Sequence, residues 1–422
     1  MKNSKLKPET MLRLLDADRM RRAFRRLPIL EGREIEKVTL SSTWIKPGRY
    51  FNGHYLLQLG DGEFLRASAF AVGHKLASQL VDKLGDHSCN GAASPSCARC
   101  SSLAHRDLLL TLFPYDYRLP TLERCLDARL VRAEAGPDFP LTGCEVIAYR
   151  PGVRCQMRYR DARGGKVYGK VSFRRGTPDR VFEVQRQAWE SINSRASGFR
   201  VPRPLAFLPG LGLSLVEAVD GFSLDEVLRT GDGLDNSIKK IASALSGFHA
   251  LEVDGAERLF GVEQEIELLV SWVDFLPTLY PAWGEAVAEL FEQLKAVAPA
   301  AVEPDAVLHR DFYDKQVILT DGDPVLLDMD TTCRGDRELD LGNFCAHLRL
   351  RAVQWDEHER SAELERLFRD AYPVEARQDR LSWYTAATLL RLACNFSLRP
   401  RWQKLVDPLL DETREQIARA GG

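Results

Sequence analysis

Val307-Leu308-His309-Arg310-Asp311-Phe312-Tyr313-Asp314-Lys315-Gln316-Val317-Ile318-Leu319, then Asp321-Gly322-Asp323-Pro324 and Val325-Leu326-Leu327-Asp328-Met329-Asp330, is the stretch on which the fold turns. Two short apolar runs flank a turn of Asp, Gly and Pro, the pattern of a β-hairpin. Antiparallel pairing sets residues just before Val317 against residues just after Leu327. Asp311, Gln316 and Asp328 then converge at one end of two strands, with Asp330 a weaker addition. Carboxylate and amide oxygens are hard donors suited to Mg2+. An Asp on the loop before them is placed to accept a hydroxyl proton. Base, metal ligands and a lysine facing phosphates are the parts that phosphoryl transfer requires.

Working outward, the flanking sequence is helical by spacing: 235–251, 263–275, 283–297, 337–351, 358–371, 379–395 and 403–420. Upstream, Val146–Tyr149, Cys155–Tyr159 and Val167–Phe173 read as strands, 179–194 as a helix, and Leu205–Leu208 and Leu213–Ala218 as strands again. Lys170 sits between Gly169 and Val171 in an apolar run, where a buried charge needs a partner. Residues 1–30 have helical character, 37–72 look strand-like with a hairpin through Gly60-Asp61-Gly62, and 72–85 look helical. The 37–72 and 144–173 regions resemble each other, as a degenerate repeat would. Aligned on Phe70 and Phe173, Lys170 falls opposite Ala67.

The motifs His309-x-Asp311-x4-Gln316, Asp328-x-Asp330 and Gly335-Asp336 through Asp340-Leu341 resemble the aminoglycoside phosphotransferase and choline kinase family, whose fold is protein-kinase-like. Upstream, Tyr149-Arg150-Pro151-Gly152-Val153-Arg154-Cys155 resembles that family's phosphate-covering turn. Val201–Leu205 and Leu215–Gly221 resemble the approach to its adenine hinge. The resemblance spans 144–350 by motif. It implies an α+β fold with a β-rich lobe over 137–221 and a helical lobe over 222–422, preceded by an α/β extension over 1–136. It also implies ATP and Mg2+ as cofactors and a small-molecule hydroxyl as acceptor. Asp311 would be the catalytic base, Gln316 and Asp328 the metal ligands, and Lys170 and Arg154 the phosphate contacts. Backbone at Glu217 to Val219 would hold adenine, and His309 and Asp340 would support the loop.

Two departures stand out. The family's Asn five residues after the base is Gln316 here, and spacing puts Gln187 where the lysine's glutamate partner belongs. Glu183, one turn earlier, is the preferred substitute over Glu190. These departures motivate an alternative, a catalytically silent nucleotide-binding scaffold. A peptide or protein acceptor is a further alternative.

Other signals weigh less. Gly164-Gly-Lys-Val-Tyr-Gly169-Lys170 approaches a phosphate loop, yet Val171 replaces the required Ser or Thr and a strand follows rather than a helix. Cys89, Cys97 and Cys100, with His87 and His105, lie in a loop over 87–102 whose spacing fits no standard zinc module. Cys125, Cys144, Cys155, Cys333, Cys345 and Cys394 sit in apolar contexts and read as core. Glu263, Glu265, Glu267 and Asp274 are candidates for an acidic acceptor pocket, and Trp272, Phe275, Tyr280 and Trp283 for its walls.

Composition excludes several classes. The 422 residues carry 58 basic and 60 acidic side chains, net −2, which argues against a nucleic-acid partner. The one dense basic run, Arg19–Arg26, reads as a solvated helix face. No apolar stretch is long enough for a membrane span, the first 22 residues lack a signal-peptide core, and nine cysteines are expected as free thiols in the cytoplasm. The extension has two roles open to it: capping the β-lobe, or association with a second copy or another protein.

Overall fold

The computed structural model describes residues 8–46, 50–72, 100–103, 108–173, 178–194, 197–231, 233–254, 256 and 258–422. The chain divides into two compact units, Met1–Pro178 with Ala206–Leu215, and Asp179–Leu205 with Val216–Gly422.

The first unit opens with α1 (Pro8–Leu15) and α2 (Ala17–Phe24), the second capped by Asp16, whose carboxylate accepts from the Arg19 amide. Met20, Ala23 and Phe24 face inward, while Arg19, Arg22, Arg25 and Arg26 lie exposed as the solvated face. Next come β1 (Ile35–Lys46), β2 (Tyr50–Leu59), β3 (Phe64–Ala71), β4 (Cys100–Leu103) and β5 (Leu108–Leu112), a sheet in the order β1-β2-β3-β5-β4. The helices α3 (Leu122–Cys125) and α4 (Ala128–Ala135) follow, then β6 (Leu141–Arg150), β7 (Arg154–Asp161) and β8 (Lys166–Ser172). With β9 (Pro204–Leu208) and β10 (Leu213–Glu217), these make a second sheet in the order β6-β7-β8-β10-β9. The strand at Lys166–Ser172 is the reason the phosphate-loop reading fails.

The two sheets repeat one pattern. Seven of the eight β2–β3 pairs have a β7–β8 counterpart shifted by 102 residues, from Asn52↔Phe70 against Arg154↔Ser172 to Gln58↔Phe64 against Arg160↔Lys166. β1 carries bulges at Ile35/Lys37 and Leu40/Ser42, and β6 carries them at the matching steps Leu141/Gly143 and Val146/Ala148. Bulges bend a strand at a chosen residue, so two in the same places mark copies rather than chance. The register corrects one expectation: Lys170 pairs with Gln156 as Ser68 pairs with His54, so its counterpart is Ser68, not Ala67. Aligning on Phe173 misled because that residue lies beyond the end of β8, and a slip of one flips a side chain to the other face. Each copy buries a tyrosine whose hydroxyl donates to a backbone carbonyl upstream, Tyr55 to Leu14 (2.5 Å) and Tyr159 to Cys125 (2.6 Å).

The second unit starts with α5 (Pro178–Asn193). β11 (Phe222–Ser223) leads into α6 (Leu224–Thr230), whose Ser223 and Glu226 form a capping box. Then come α7 (Leu234–His249), β12 (Leu259–Phe260), α8 (Val262–Val273) and α9 (Pro281–Ala296). A run of short strands interrupts the helices: β13 (Ala306–Leu308), β14 (Val317–Leu319), β15 (Val325–Leu326) and β16 (Cys333–Gly335). α10 (Glu338–Trp355), α11 (His358–Ala371), α12 (Gln378–Ser397) and α13 (Val406–Gly421) complete it. One continuous core joins Val184, Ala188 and Ile192 of α5 to Ile238, Leu245 and Phe248 of α7 and to Phe312, Phe344 and Phe368. Cys125, Cys155, Cys333, Cys345 and Cys394 are buried free thiols, and Cys144 is a half-buried one. The β4 and β5 strands escaped the sequence reading. Cys89, Cys97, His87, His105 and the helix expected to 85 fall outside the described residues, apart from Val72.

Candidate active site

The expected hairpin is present: β14 pairs antiparallel with β15 through Val317↔Leu326 and Ile318↔Val325. One further ladder bond, the Leu327 amide to the Gln316 carbonyl at 2.8 Å, brings the backbone of Gln316 beside that of Asp328. β13 ends at Leu308, so residues 309–316 form a loop between two strands, a short segment that local interactions alone do not hold.

Its backbone is tied by side chains from elsewhere in the same unit. Asp340, fully buried in the first turn of α10, accepts from the His309 amide (2.7 Å) and the Arg310 amide (2.6 Å). His249 Nε2 lies 3.2 Å from the same carboxylate, and its Nδ1 lies 2.7 Å from the Tyr372 hydroxyl. His249 therefore donates to Asp340 and accepts from the tyrosine. Thr331 Oγ1 donates to the His309 carbonyl (2.8 Å) and Asn343 Nδ2 to the Phe312 carbonyl (2.8 Å). His309 Nε2 is 2.7 Å from the Leu327 carbonyl, which only accepts, so the proton sits on Nε2. Arg310 is held at φ +68°, a conformation side chains resist, and Asp328 at φ +61°.

Against this tied loop two groups differ. The half-buried Asp311 carboxylate has no hydrogen bond or ion pair among the described residues. Gln316 is buried, and its side-chain amide likewise bonds nothing among them, although buried amides normally find partners. No group of three His, Cys, Asp or Glu side chains among the described residues is gathered to hold a metal. The oxygen-bearing side chains that flank the hairpin in the chain are Gln316, Asp328 and Asp330. That all-oxygen set fits Mg2+, which normally takes one or two protein carboxylates and completes its shell with phosphate oxygens.

Lys170 is a half-buried residue of β8 and Arg154 opens β7. In the turn between β6 and β7, the Gly152 and Val153 amides are both used internally, on Asp116 and on the Arg150 carbonyl. Glu183 is engaged on its own helix by Arg186 (2.5 Å) and Gln187 (3.0 Å), and Arg186 holds its carboxyl down to about 2. Glu217 closes the hairpin onto Arg203, its carboxylate accepting the Arg203 amide at 2.9 Å. Glu217 to Asp220 and the turn Thr320–Asp323 line an open cavity of about 620 Å³.

The four carboxylates expected for an acidic acceptor pocket differ in their surroundings. Glu265 is 3% exposed with Arg391 Nε 3.5 Å away, and Glu263, Glu267 and Asp274 are surface residues. Arg310 stacks 3.7 Å above the Phe260 ring, with Arg258 over the same ring at 5.9 Å. Trp283 donates to Asp407 and Tyr280 meets Gln403, so these aromatics pack on the C-terminal segment. The sequence reading missed Asp116, His249, Thr331 and Asn343, whose partners lie 22 to 91 residues away.

The model of the phosphotransferase enzyme family matches residues 174–384, half of the chain, and covers this loop and its supports. The chain belongs to that family. Its β-rich and helical units are those of the protein-kinase-like fold, with the first sheet as an N-terminal extension. Among solved structures, the aminoglycoside phosphotransferase APH(4)-Ia is similar at 15% identity and a TM-score of 0.49, covering 72% of this chain and 99% of that one. Choline kinase LicA from Streptococcus pneumoniae is similar at 14% and 0.47, covering 69% and 98%. A choline/ethanolamine kinase family protein from Mesorhizobium loti is similar at 17% and 0.46, covering 71% and 91%. No curated protein matches the chain. No helix among the described residues is long and apolar enough to cross a membrane.

Proposed function

We propose that this protein is an ATP-dependent small-molecule kinase that transfers the γ-phosphate to a hydroxyl oriented by Asp311. The observation that carries this reading is the contrast within one loop. Backbone groups at His309, Arg310 and Phe312 are tied down, while the Asp311 carboxylate has no partner among the described residues. A carboxylate left without partners on a fixed backbone is suited to accept the acceptor's proton as the phosphate departs from ADP. Gln316 and Asp328, with Asp330 in support, would hold Mg2+, which supplies neutralising charge to the phosphates when bound. Lys170 and Arg154 would contact those phosphates, and the backbone at Glu217 to Val219 would hold adenine. His309 and Asp340 are supports of the loop rather than reacting groups.

The charge around the loop bears on the acceptor. Glu265 is already paired with Arg391, and Arg310 and Arg258 add positive charge beside Phe260. A neutral sugar or other polyol suits that surrounding better than a polycationic aminoglycoside. Screening hydroxylated compounds for ATP consumption with Mg2+ present, with Asp311→Asn as control, tests the reading. Turnover with one acceptor class, reduced about 10³-fold in the variant, is expected. Mg-dependent nucleotide binding without transfer to any of them would favour the silent scaffold, the reading that Gln316 and Gln187 motivate.

A further inference from the structure

The turn joining β6 and β7 is braced by side chains of the first sheet and of the segment that follows it. Gly152 has φ +68°, and a Cβ there would sit 3.0 Å from the Phe70 ring, 3.1 Å from Asn52 Nδ2 and 3.2 Å from Arg118 Cδ. Its amide donates to Asp116 Oδ2 at 2.6 Å, and the Tyr149 hydroxyl donates to the same oxygen at 2.9 Å. The Pro151 carbonyl accepts from Asn52 Nδ2 at 3.0 Å. Asp116 and Asn52 are each 1% exposed, and Asp116 Oδ1 is occupied by the Arg118 amide. Burying a carboxylate is unfavourable unless its oxygens are bonded, and here both are spent, one of them wholly on this turn. Asn52 belongs to the first sheet and Asp116 to the segment that follows it. The extension therefore grips a turn 99 and 36 residues away, respectively.

We propose that the N-terminal extension is a built-in positioning element for the nucleotide, in which Asp116 and Asn52 hold the β6–β7 turn in one conformation. The first sheet has Ser68 where the second has Lys170, and it serves as a fixed backing for the working copy. The role rests on reading that turn as the phosphate cover. With the Gly152 and Val153 amides consumed internally, the clamp acts by setting where β7 begins, and so where Arg154 and, across the ladder through Gln156, Lys170 are presented. Asp116 is a positioning residue that acts through Gly152 and Tyr149, lowering the ordering cost of nucleotide binding.

The test uses the full chain. Asp116→Asn keeps the shape but turns one acceptor into a donor, and Asn52→Leu removes the donor to Pro151. Both are expected to raise KM for Mg-ATP about tenfold, with kcat changed by less, and to speed amide exchange at Gly152 and Val153. Tyr149→Phe, which deletes one hydroxyl from the same carboxylate, is expected to raise KM about threefold and serves if Asp116→Asn does not fold. Asp127→Ala removes the N-cap of α4, away from the turn, and is expected to lower Tm while leaving KM unchanged. Unchanged KM and exchange in the turn variants, or tighter nucleotide binding in both, would overturn the clamp while the kinase reading stands. A wild-type chain that binds no Mg-ATP by calorimetry would overturn the kinase reading and this role together.

Discussion

Asp340→Asn probes the grip on the catalytic loop most directly. The carboxylate meets three donors: the His309 amide and His249 on Oδ2, and the Arg310 amide on Oδ1. Asparagine has one acceptor oxygen. The less costly arrangement keeps it where two donors converge and turns the NH2 toward the Arg310 amide. That loses one bond to a charged acceptor and orphans a buried N–H, about 3 kcal/mol together. The two surviving bonds become neutral, which removes roughly 1 kcal/mol more. Arg310, strained at φ +68°, is then free to relax and carries Asp311 with it. A displacement of about 1 Å at a reacting group is sufficient for a loss of about 100-fold in kcat. Urea unfolding followed by circular dichroism reads the first effect, and steady-state ATP consumption with the acceptor found by screening reads the second. A midpoint within error of wild type, with kcat within about twofold, would refute the claim that Asp340 holds this loop.

His54 is pushed down to about 4 by burial, against 6.5 when free, so it is neutral in the folded protein. The unfolded chain takes up a proton first as pH falls. The stability His54 contributes is intact above pH 6.5 and is lost between 6.5 and 4, amounting to about 3 kcal/mol. His54→Gln, which copies the matching residue Gln156, should flatten that pH dependence in urea titrations; an unchanged slope counts against it. Gly335→Ala would place a Cβ 2.0 Å from the Phe260 carbonyl oxygen and 2.7 Å from Leu308 Cδ1. The β12–β16 pair must open, costing about 3 kcal/mol, and a Tm within a degree of wild type would contradict the packing. Gln316→Ala should raise the Mg2+ concentration for half-maximal turnover about tenfold, the equivalent of about 1.4 kcal/mol of lost binding. An unaltered Mg2+ dependence would remove Gln316 from the metal set.

What the sequence determined by itself was local. The β14–β15 hairpin, the loop from His309 to Gln316 and the succession of helices were legible because their pairings span few residues and their apolar spacing repeats at 2 or 3.6. The likeness of the two β-regions was legible too, but its register was one residue off, since a terminal Phe is weaker evidence than a shared turn and matching bulges. Only the tertiary structure decided which groups hold the loop and the turn. His249 reaches Asp340 from 91 residues away, Asn52 reaches Pro151 from 99, and Asp116 takes up the Gly152 amide from 36. Nothing in a chain's order marks such pairs. A buried carboxylate takes whichever donors the packed backbone leaves unmet, and those are settled only once the core has closed.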